Sequence, residues 1–339
     1  MEIIATVGIN TRDNRVLKSI INEGVTTLRF NFSHGNIEEF DDIMKYVAEN
    51  NSGIHILQDL SGGKVRVSNK LVKIIKVYDN EEIIFCGKDT YEELLKKQIN
   101  KKIIPLNITT EALITSNLEK ISMKDNTIHF SINKVRSEGV HAKVIKGGII
   151  RAGKGCNITG YKRDNSKLSV KDKKDLKWGI ENKVDIICQS YVEKKEDILC
   201  IRKYIKNENE NYKPKIWAKI ETENGVKNIE DILKIVDGII VGRGDLIPET
   251  SLIRAPILQE KIIDASIKNN KDVILGTHIL NSMKNGKVPE LSEVESIYYS
   301  IKKGVSGFLL AGETSVGKAP IKTVQFLHRL IERYECEKK

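Results

Sequence analysis

The sequence has few of the features that mark secreted or membrane proteins. No stretch approaches the roughly 20 consecutive apolar residues that a membrane-spanning helix needs. The first residues, MEIIATVG, lack the basic segment and long apolar run of a signal peptide. The five cysteines form no Cys-x-x-Cys pair and no even-numbered disulfide framework. We therefore expect reduced thiols, no membrane contact and a cytoplasmic protein.

Patterns typical of nucleic-acid-binding proteins and of common nucleotide-binding enzymes are also missing. The formal net charge of +10 at first suggests an anionic polymer as partner. However, lysines alternate with acidic residues, as in SVKDKKDLKWGIENK, and no basic-aromatic array, helix-turn-helix or zinc-finger spacing is present. There is no Walker A motif and no kinase glycine-rich loop. A basic surface that suits anionic small molecules is the better interpretation, and no nucleic-acid partner is expected.

Short β-rich runs recur along the chain, and most are followed by a segment with helical periodicity. The runs lie at residues 3–8, 26–33, 54–60, 185–191, 215–221, 238–245, 272–278 and 307–314. After the first run, Val16, Leu17, Ile20 and Ile21 share one face of a helix. Eight strand–helix units with right-handed crossovers predict an α/β protein that closes into a (β/α)8 TIM barrel. A doubly wound open sheet is the alternative.

The segment between the third and fourth runs does not show this alternation of strand and helix patterns. Residues 64–157 contain short strand patterns separated by turn residues, and helical patterns are scarce. We therefore expect a small β-barrel-like domain at 64–157. It would be inserted after strand 3 of a barrel formed by residues 1–63 and 158–339.

Polar side chains gather at the ends of the runs. In LRFNFSHG (28–35), apolar residues alternate with Arg29, Asn31 and Ser33, and His34 follows. Six other runs end at Asp59, at Ser190, at Lys219 and Glu221, at Arg243 and Asp245, at Thr277 and His278, and at Glu313 and Thr314. One such end is compatible with a half-buried strand that faces water. Because catalytic residues of (β/α)8 barrels lie at the carboxyl ends of the strands, seven ends predict one site.

Three of these residues suggest metal-assisted chemistry. Glu221 and Asp245 provide the hard oxygen ligands that Mg²⁺ or Mn²⁺ prefers. Lys219, two residues before Glu221, shares its strand face and could neutralise a phosphoryl group or stabilise an enolate. The alternative is that the two carboxylates are surface acids that balance Lys219 and Arg243.

Other residues suit phosphate, a monovalent cation and an oxyanion. Arg12, Arg29 and Arg66 carry the guanidinium fork that binds phosphate, although any of them could be an ordinary surface arginine. A second set offers only oxygens and one charge, which suits a monovalent cation better than zinc. This set is Asn31, Ser33 and Asp59. Gly244, in GRGD (242–245), leaves backbone N–H groups open to an oxyanion or carboxylate.

Several motifs together resemble the pyruvate kinase family. They are IIATVGINTR (3–12), LRFNFSHG (28–35), QDLSGGKVR (58–66), AKIETENGVKNIEDILKIVDGIIVGRGDL (218–246), GTHILNSM (276–283) and LLAGETSVGKAP (309–320). SMKDNTIHFSI (122–132) and KGGIIRAGKGCN (146–157) resemble the family's lid domain. The blocks run in the family's order and extend from residue 1 to about 333. On this resemblance we expect no counterpart of the family's C-terminal domain, which carries effector sites.

The resemblance implies a role for each matching residue. Catalytic roles would fall to Lys219, Arg29 and Thr277, and the divalent metal, Mg²⁺ or Mn²⁺, would be bound by Glu221 and Asp245. The substrate carboxylate would be held by Gly244, Asp245 and Thr277. A potassium site would be lined by Asn31, Ser33, Asp59 and Leu60. Nucleotide and phosphate would contact Arg12, Arg29, His34, Arg66 and Lys154, and the lid would also direct Asp125 to the site.

Some positions depart from the family pattern. Lys64 stands where potassium-dependent members carry a glutamate, so its ammonium group would replace the cation and make K⁺ dispensable. Ala311 stands where the family has a serine implicated in protonating the enolate. His278 replaces a glutamine, and Val316 replaces a lysine.

We therefore expect a glycolytic, pyruvate kinase-like phosphotransferase that converts phosphoenolpyruvate and ADP into pyruvate and ATP, without sugar-phosphate effector control. One alternative is an enolate-handling enzyme of a specialised pathway, such as a decarboxylase, a lyase or a kinase with another phosphoryl acceptor. A non-catalytic binding protein of the same fold is a further alternative. The sequence leaves the oligomeric state open, with a dimer as one expectation.

Overall fold

The structure, a computed structural model, describes residues 1–33, 35, 37–50, 53–123, 127–164 and 166–337. Two residues with expected roles, His34 and Asp125, lie outside these ranges. The strands in chain order are β1 (Glu2–Thr6), β2 (Thr27–Asn31), β3 (His55–Leu60), β4 (Ile75–Val77), β5 (Glu82–Gly87), β6 (Lys102–Leu106), β7 (Lys120–Met123), β8 (Ile128–Arg136), β9 (Gly139–Lys146), β10 (Gly148–Ile150), β11 (Cys156–Thr159), β12 (Ile186–Gln189), β13 (Lys215–Ile220), β14 (Gly238–Gly242), β15 (Asp272–Gly276) and β16 (Gly307–Leu310).

Helices follow most of the barrel strands. They are α1 (Asn14–Asn22), α2 (Ile37–Asn50), α3 (Tyr91–Lys96), α4 (Thr110–Ile114), α5 (Val170–Glu181), α6 (Glu196–Glu208), α7 (Glu223–Lys227), α8 (Ile229–Leu233), α9 (Arg243–Glu249), α10 (Ala255–Lys268), α11 (Leu291–Lys303), α12 (Gly312–Ser315) and α13 (Pro320–Cys336), with a 3₁₀ helix at Asn281–Asn285.

Local sequence signals determine where several helices begin. Asp13 caps α1, and its Oδ1 accepts a hydrogen bond from the backbone N–H of Arg15 at 2.9 Å. Ser169 caps α5 and forms a reciprocal capping box with Asp172. Pro320 occupies the first position of α13, where a missing N–H costs nothing.

Eight parallel strands close into a barrel in the order β1-β16-β15-β14-β13-β12-β3-β2. Every neighbouring pair is parallel; for example, Arg29 lies beside Leu57 and Lys219 beside Ile240. The prediction of an α/β, (β/α)8 TIM barrel is therefore confirmed. A doubly wound open sheet is excluded, because an open sheet has two unpaired edge strands and this one has none.

A cluster of apolar side chains fills the barrel interior. It comprises Ile4, Leu57, Ile186, Cys188, Trp217, Ile240, Ile274 and Leu309. Side chains alternate between the two faces of a strand, so the residue two positions further on points the same way. Thr6, Asp59 and Lys219 each lie two positions after a member of this cluster, on β1, β3 and β13 respectively, and so point to the barrel interior. At the mouth of the barrel, polar side chains therefore point to the same side as the apolar side chains of the interior.

A second compact unit has its own core. Unit 1 comprises Met1–Gly62, Asn165–Leu246 and Ile253–Lys339, and unit 2 comprises Gly63–Asp164 and Ile247–Leu252. Unit 2 contains a six-stranded sheet in the order β11-β7-β8-β9-β5-β6 and a two-stranded sheet of β10 and β4. Its apolar cluster includes Ile83, Phe85, Ile104 and Phe130, with the two phenylalanine rings edge to face at 5.0 Å.

Within the residues that the structure describes, no helix combines the length and the apolar character required to cross a membrane. All five cysteines are free thiols. Burial raises the pKa of Cys86 to about 12, so this thiol is protonated and unreactive at neutral pH.

A buried ion pair links the two chain segments of unit 2. Arg163 Nη2 lies 2.6 Å from Glu249 Oε1, and each side chain is only 2% exposed. Asn157 Nδ2 donates to the same oxygen at 3.1 Å. Because burial removes both charges from water, each depends on the other for compensation.

Replacing Glu249 with glutamine should destabilise the protein by about 3 kcal/mol, because the substitution removes the buried negative charge that lies 2.6 Å from the guanidinium of Arg163. Urea unfolding followed by circular dichroism measures this. The matched control is Glu223→Gln, which removes the partner of the exposed Arg254 and should cost less than about 1 kcal/mol. Equal losses in the two variants would contradict the argument.

Candidate active site at the carboxyl ends of the barrel strands

A buried carboxylate at the end of β3 gathers two cations and a hydroxyl group. Asp59 is 1% exposed. Arg29 donates to its Oδ2 from Nε at 2.8 Å and from Nη2 at 2.6 Å. Lys219 Nζ donates to Oδ2 at 2.9 Å, and Ser190 Oγ donates to Oδ1 at 2.9 Å. Residues from four neighbouring strands therefore meet at one carboxylate.

The charges in this cluster compensate one another. Burial alone would raise the pKa of Asp59, but the charges of Lys219 and Arg29 outweigh it and lower that pKa to about 2. Burial alone would lower the pKa of Lys219, but Asp59 and Glu221 raise it above its usual value. The site therefore holds a carboxylate, an ammonium and a guanidinium, all charged at neutral pH.

The alternating faces of β2 explain why Arg29 enters this cluster. Phe30 points outward and stacks on Phe40 of α2, with ring centroids 4.6 Å apart. The ring of Phe32 lies 5.2 Å from that of Trp178 on α5. The aromatic contacts anchor one face of the strand, which leaves Arg29 on the barrel face.

Glu221 follows β13 and lies beside Lys219. Its side chain is buried; Oε2 accepts a hydrogen bond from the backbone N–H of Tyr191 at 2.9 Å, and Oε1 is 3.7 Å from Lys219 Nζ. Gly242 makes room for it, since a Cβ there would lie 2.7 Å from Oε1. Asp245, the other predicted metal ligand, is half-buried in the first turn of α9, on the next strand end.

The loop after β15 has a strained backbone. Thr277 and His278 adopt φ values of +65° and +52°, which a β-branched residue such as threonine rarely does. Arg243 donates from Nε and Nη2 to the carbonyl of Thr277, at 2.9 and 2.6 Å, and from Nη2 to that of His278 at 2.8 Å. Burial lowers the pKa of Arg243 to about 10, so it remains charged. These bonds fix Thr277 beside Gly244, where a Cβ would lie 3.2 Å from the threonine Oγ1.

The predicted potassium residues make mostly local contacts. They are Asn31, Ser33, Asp59 and Leu60. Asn31 Oδ1 accepts from the backbone N–H of Ser33 at 3.1 Å, and Ser33 Oγ lies 3.2 Å from Ser61 Oγ. Lys171, on α5, donates to the carbonyl of Phe32 at 2.8 Å. An ammonium group therefore contacts this segment directly, and Asp59 is already engaged by the two cations of the cluster.

A cavity of about 380 Å³ adjoins Arg29. It is lined by Thr6, whose Oγ1 accepts from Arg29 Nη1 at 2.8 Å, and by the apolar Val316. Glu39 lines it as well and accepts from Arg12 Nη1 at 2.6 Å. Arg12 and Arg29, both predicted to bind phosphate, each hydrogen-bond to a residue that lines this pocket of small-molecule size, although neither arginine is part of the lining.

Two other predicted phosphate residues lie in unit 2. Arg66 Nη1 donates to the carbonyl of Gly153 at 3.0 Å, and Lys154 Nζ donates to the carbonyl of Ile149. His34, the remaining residue predicted to contact nucleotide, lies outside the described residues.

Comparison with known proteins identifies the family. A family model described as the barrel domain of pyruvate kinase matches residues 1–324. The chain belongs to the pyruvate kinase family. It is 30% identical to a pyruvate kinase of Clostridium perfringens over 340 residues, which are 99% of this chain and 70% of that protein. It is 28% identical to a pyruvate kinase of Thermococcus litoralis (98% and 69%) and 29% identical to one of Staphylococcus epidermidis (97% and 56%).

The carboxylates of this pyruvate kinase family member suit a magnesium ion. Among the described residues, no group of three or more His, Cys, Asp or Glu side chains is arranged to hold a metal. Mg²⁺ is usually bound by one or two carboxylates, and water and substrate phosphate complete its shell. Glu221 and Asp245, on neighbouring strand ends, offer that number of carboxylates, and Gly242 leaves space at the first of them.

Sequence reasoning missed three contacts of the site: the hydroxyl of Thr6, the ammonium of Lys171 and the backbone N–H of Tyr191. Thr6 could have been found, because it lies two residues beyond the apolar Ile4 on the same face of β1. The other two could not, since they depend on contacts between distant segments that no periodic pattern records.

Asp59→Asn should destabilise the fold by about 3–5 kcal/mol at neutral pH, because it removes the buried carboxylate that Arg29 and Lys219 share and leaves Lys219 with Glu221 alone. The folded-state pKa of about 2 lies below the usual value of 3.8, so ionisation of Asp59 contributes about 2 kcal/mol to stability. That contribution is complete above about pH 4 and is lost as the pH falls toward 2.

Unfolding measured from about pH 7 to about pH 3 checks this expectation. The gap in unfolding free energy between wild type and Asp59→Asn should narrow at the acidic end. Asp42→Asn, at an exposed carboxylate of α2, is the control and should change stability little throughout. A gap that stays constant with pH would show that the charge of Asp59 is unimportant for folding.

Proposed function

We propose that this chain catalyses phosphoryl transfer between phosphoenolpyruvate and ADP with the help of a divalent ion, giving pyruvate and ATP. The observation that carries the proposal is the convergence of Arg29 and Lys219 on Asp59 at the carboxyl ends of the strands, with Glu221 3.7 Å from Lys219. Family membership and the names of the relatives, which are pyruvate kinases, support the same reaction.

The substrate carboxylate is assigned to the loop after β15 and the start of α9. The backbone N–H groups of Gly244 and Asp245 lie in the first turn of α9, where they have no helical partners. The hydroxyl of Thr277 lies 3.2 Å from the position that a Cβ of Gly244 would take; it donates to the carbonyl of Gly276 and would exchange that bond for one to the carboxylate. Arg243 keeps this loop in its strained conformation, so the donors are in place before substrate binds.

Glu221 and Asp245 would hold the divalent ion, which supplies positive charge to phosphoryl and enolate oxygens. Lys219 acts as a permanent ammonium group, because its raised pKa keeps it protonated. It offsets the charge of the group in transfer and takes no part in proton exchange. Arg29 adds a guanidinium on the other side of the shared carboxylate.

In the proposed reaction, the bond between phosphorus and the enol oxygen breaks as a bond forms to a β-phosphate oxygen of ADP. The methylene carbon of the enolate then takes a proton to give pyruvate. Ala311 has no hydroxyl to deliver that proton, and Thr277 Oγ1 donates to the carbonyl of Gly276 at 2.6 Å. We therefore assign the proton to water at the rim.

The cavity beside Arg29 is the proposed nucleotide pocket, with Arg12 at its edge. Arg66 and Lys154, in unit 2, are proposed as further phosphate ligands. Residues 64–157 are assigned the role of a lid that excludes water during transfer, because stray water would hydrolyse the phosphoryl donor.

A metal-dependent enolate enzyme, such as a decarboxylase or lyase, is the second candidate. It would use Lys219 and the divalent ion without nucleotide. Two residues of the rim favour it: Ala311, whose backbone N–H donates to Glu313 at 2.9 Å but whose side chain is apolar, and His278, held at positive φ. Turnover of an enolate substrate with no nucleotide present would select this candidate. Binding of substrate and metal without turnover would instead indicate a binding protein.

Purified protein with phosphoenolpyruvate, ADP and Mg²⁺ should form pyruvate, and Lys219→Met should lower the rate at least ~1000-fold, because the developing phosphoryl charge loses its ammonium partner. A coupled assay measures pyruvate. Lys215→Met changes an exposed lysine at the other end of the same strand and should leave the rate unchanged. Pyruvate formed without ADP, or equally by Lys219→Met, would overturn the proposal.

The same assay tests whether potassium is required. We propose that the ammonium group of Lys64 replaces K⁺; Gly155 leaves it space, since a Cβ there would lie 3.0 Å from Lys64 Cε. Activity should change little when K⁺ is replaced by Na⁺. Lys64→Glu should create a K⁺ requirement of roughly tenfold, equivalent to about 1.4 kcal/mol. Lys70→Glu, at an exposed lysine of the same unit, is the control. Strong stimulation of the wild type by K⁺ would contradict this assignment.

A further inference from the structure

A second cavity lies at the opposite end of the barrel from the candidate active site. Its volume is about 420 Å³, and it is formed by the last turns of α6, the loop after it and the start of β13. Ile216, in its lining, precedes Lys219 by three residues, or about 10 Å along the strand. The volume lies in the range of small-molecule sites. The cavity is therefore distinct from the proposed nucleotide pocket and opens at the amino ends of the strands.

One wall of this cavity is apolar and fixed. Ile205, Pro214 and Ile216 line it together with the ring of Tyr212. The hydroxyl of Tyr212 donates to the carbonyl of Val184 at 2.6 Å, which holds the ring in one orientation. A fixed aromatic face beside aliphatic side chains suits a planar ring.

The lining also contains an arginine that is anchored by hydrogen bonds. Arg202 donates from Nε and Nη2 to the carbonyl of Ile235, at 3.1 and 2.9 Å, and from Nη2 to Asp237 Oδ2 at 3.1 Å. Among the described residues, nothing accepts a hydrogen bond from its Nη1. The guanidinium is thus held in place with donor capacity remaining, which lowers the entropy cost of binding an anion.

Two lysines add positive charge to the same cavity. Lys206 lies on the last turn of α6 and Lys213 in the loop after it. Neither forms an ion pair with an acid in the part of the chain that the structure describes. Glu210 is the single acidic residue of the lining, so cations exceed anions by three to one.

We propose that this cavity binds a small molecule that joins a planar ring to a phosphate group. The ring packs on Tyr212, and the phosphate contacts Arg202, Lys206 and Lys213. A phosphate dianion is attracted by the positive side chains of the lining. A free inorganic ion would make no favourable contact with the apolar side chains, whereas a planar ring would. The proposal is independent of the reaction at the other end of the barrel.

Isothermal titration of the full chain with phenyl phosphate at low ionic strength tests this. Phenyl phosphate should bind more tightly than phenol or inorganic phosphate. Phenol can contact only the apolar side chains and Tyr212, and inorganic phosphate can contact only the cations. Lys206→Gln with Lys213→Gln should weaken phenyl phosphate at least ~10-fold, because two of the three cations are removed. Glu210→Gln should strengthen it, because a like charge is removed.

The matched control is Lys268→Gln with Lys271→Gln, at lysines in the last turn of α10 and the loop after it. This pair should leave the affinity unchanged. If phenyl phosphate binds the Lys206 and Lys213 variant as tightly as wild type, binding occurs elsewhere, for example at the candidate active site, and the proposal is wrong. If the two double variants weakened the binding of phenyl phosphate equally, the effect would come from the net charge of the protein alone. That result would also overturn the proposal.

Discussion

The contacts of Asp59 with Arg29 and Lys219 are the interaction on which the candidate site depends. Each of the three ions would be costly to bury alone, and together they compensate one another. The two cations are therefore held charged and in position before any substrate arrives. With Glu221 beside Lys219, two carboxylates face two cations, so the cluster as a whole is close to neutral. An anionic substrate therefore meets cations that are already charged and in position.

Much of this arrangement follows from the period of a β-strand. The apolar residues of the barrel interior and the polar residues of the site share one face of each strand, two positions apart, as Leu57 and Asp59 do. Sequence patterns were therefore sufficient to predict the eight strands, the closed barrel and the polar rim. They could also indicate Lys219 as a member of that rim, because it shares the face of Trp217.

Other features of the site depend on contacts that no local pattern contains. Lys171 lies on a helix whose sequence reads as a solvated charged surface, yet it contacts the carbonyl of Phe32. Arg243 was visible as one more polar strand end, but its function is to bind two backbone carbonyls of a neighbouring loop. Segment 247–252 groups with residues 63–164 in the second compact unit, far from them in the chain. In each case the partner is distant in the chain.

The residues that stabilise charge and those that would deliver a proton occupy different strand ends. Arg29 and Lys219 contact the carboxylate at the end of β3, and Glu221 lies beside Lys219. The departures from the family pattern, His278 and Ala311, lie after β15 and β16. Since Ala311 packs on the apolar core and its backbone N–H donates to Glu313, the side chain at this position cannot transfer a proton. Under the proposed function, substrate binding and phosphoryl transfer depend on Arg29, Lys219 and Glu221. Protonation of the enolate depends on the residues that follow β15 and β16.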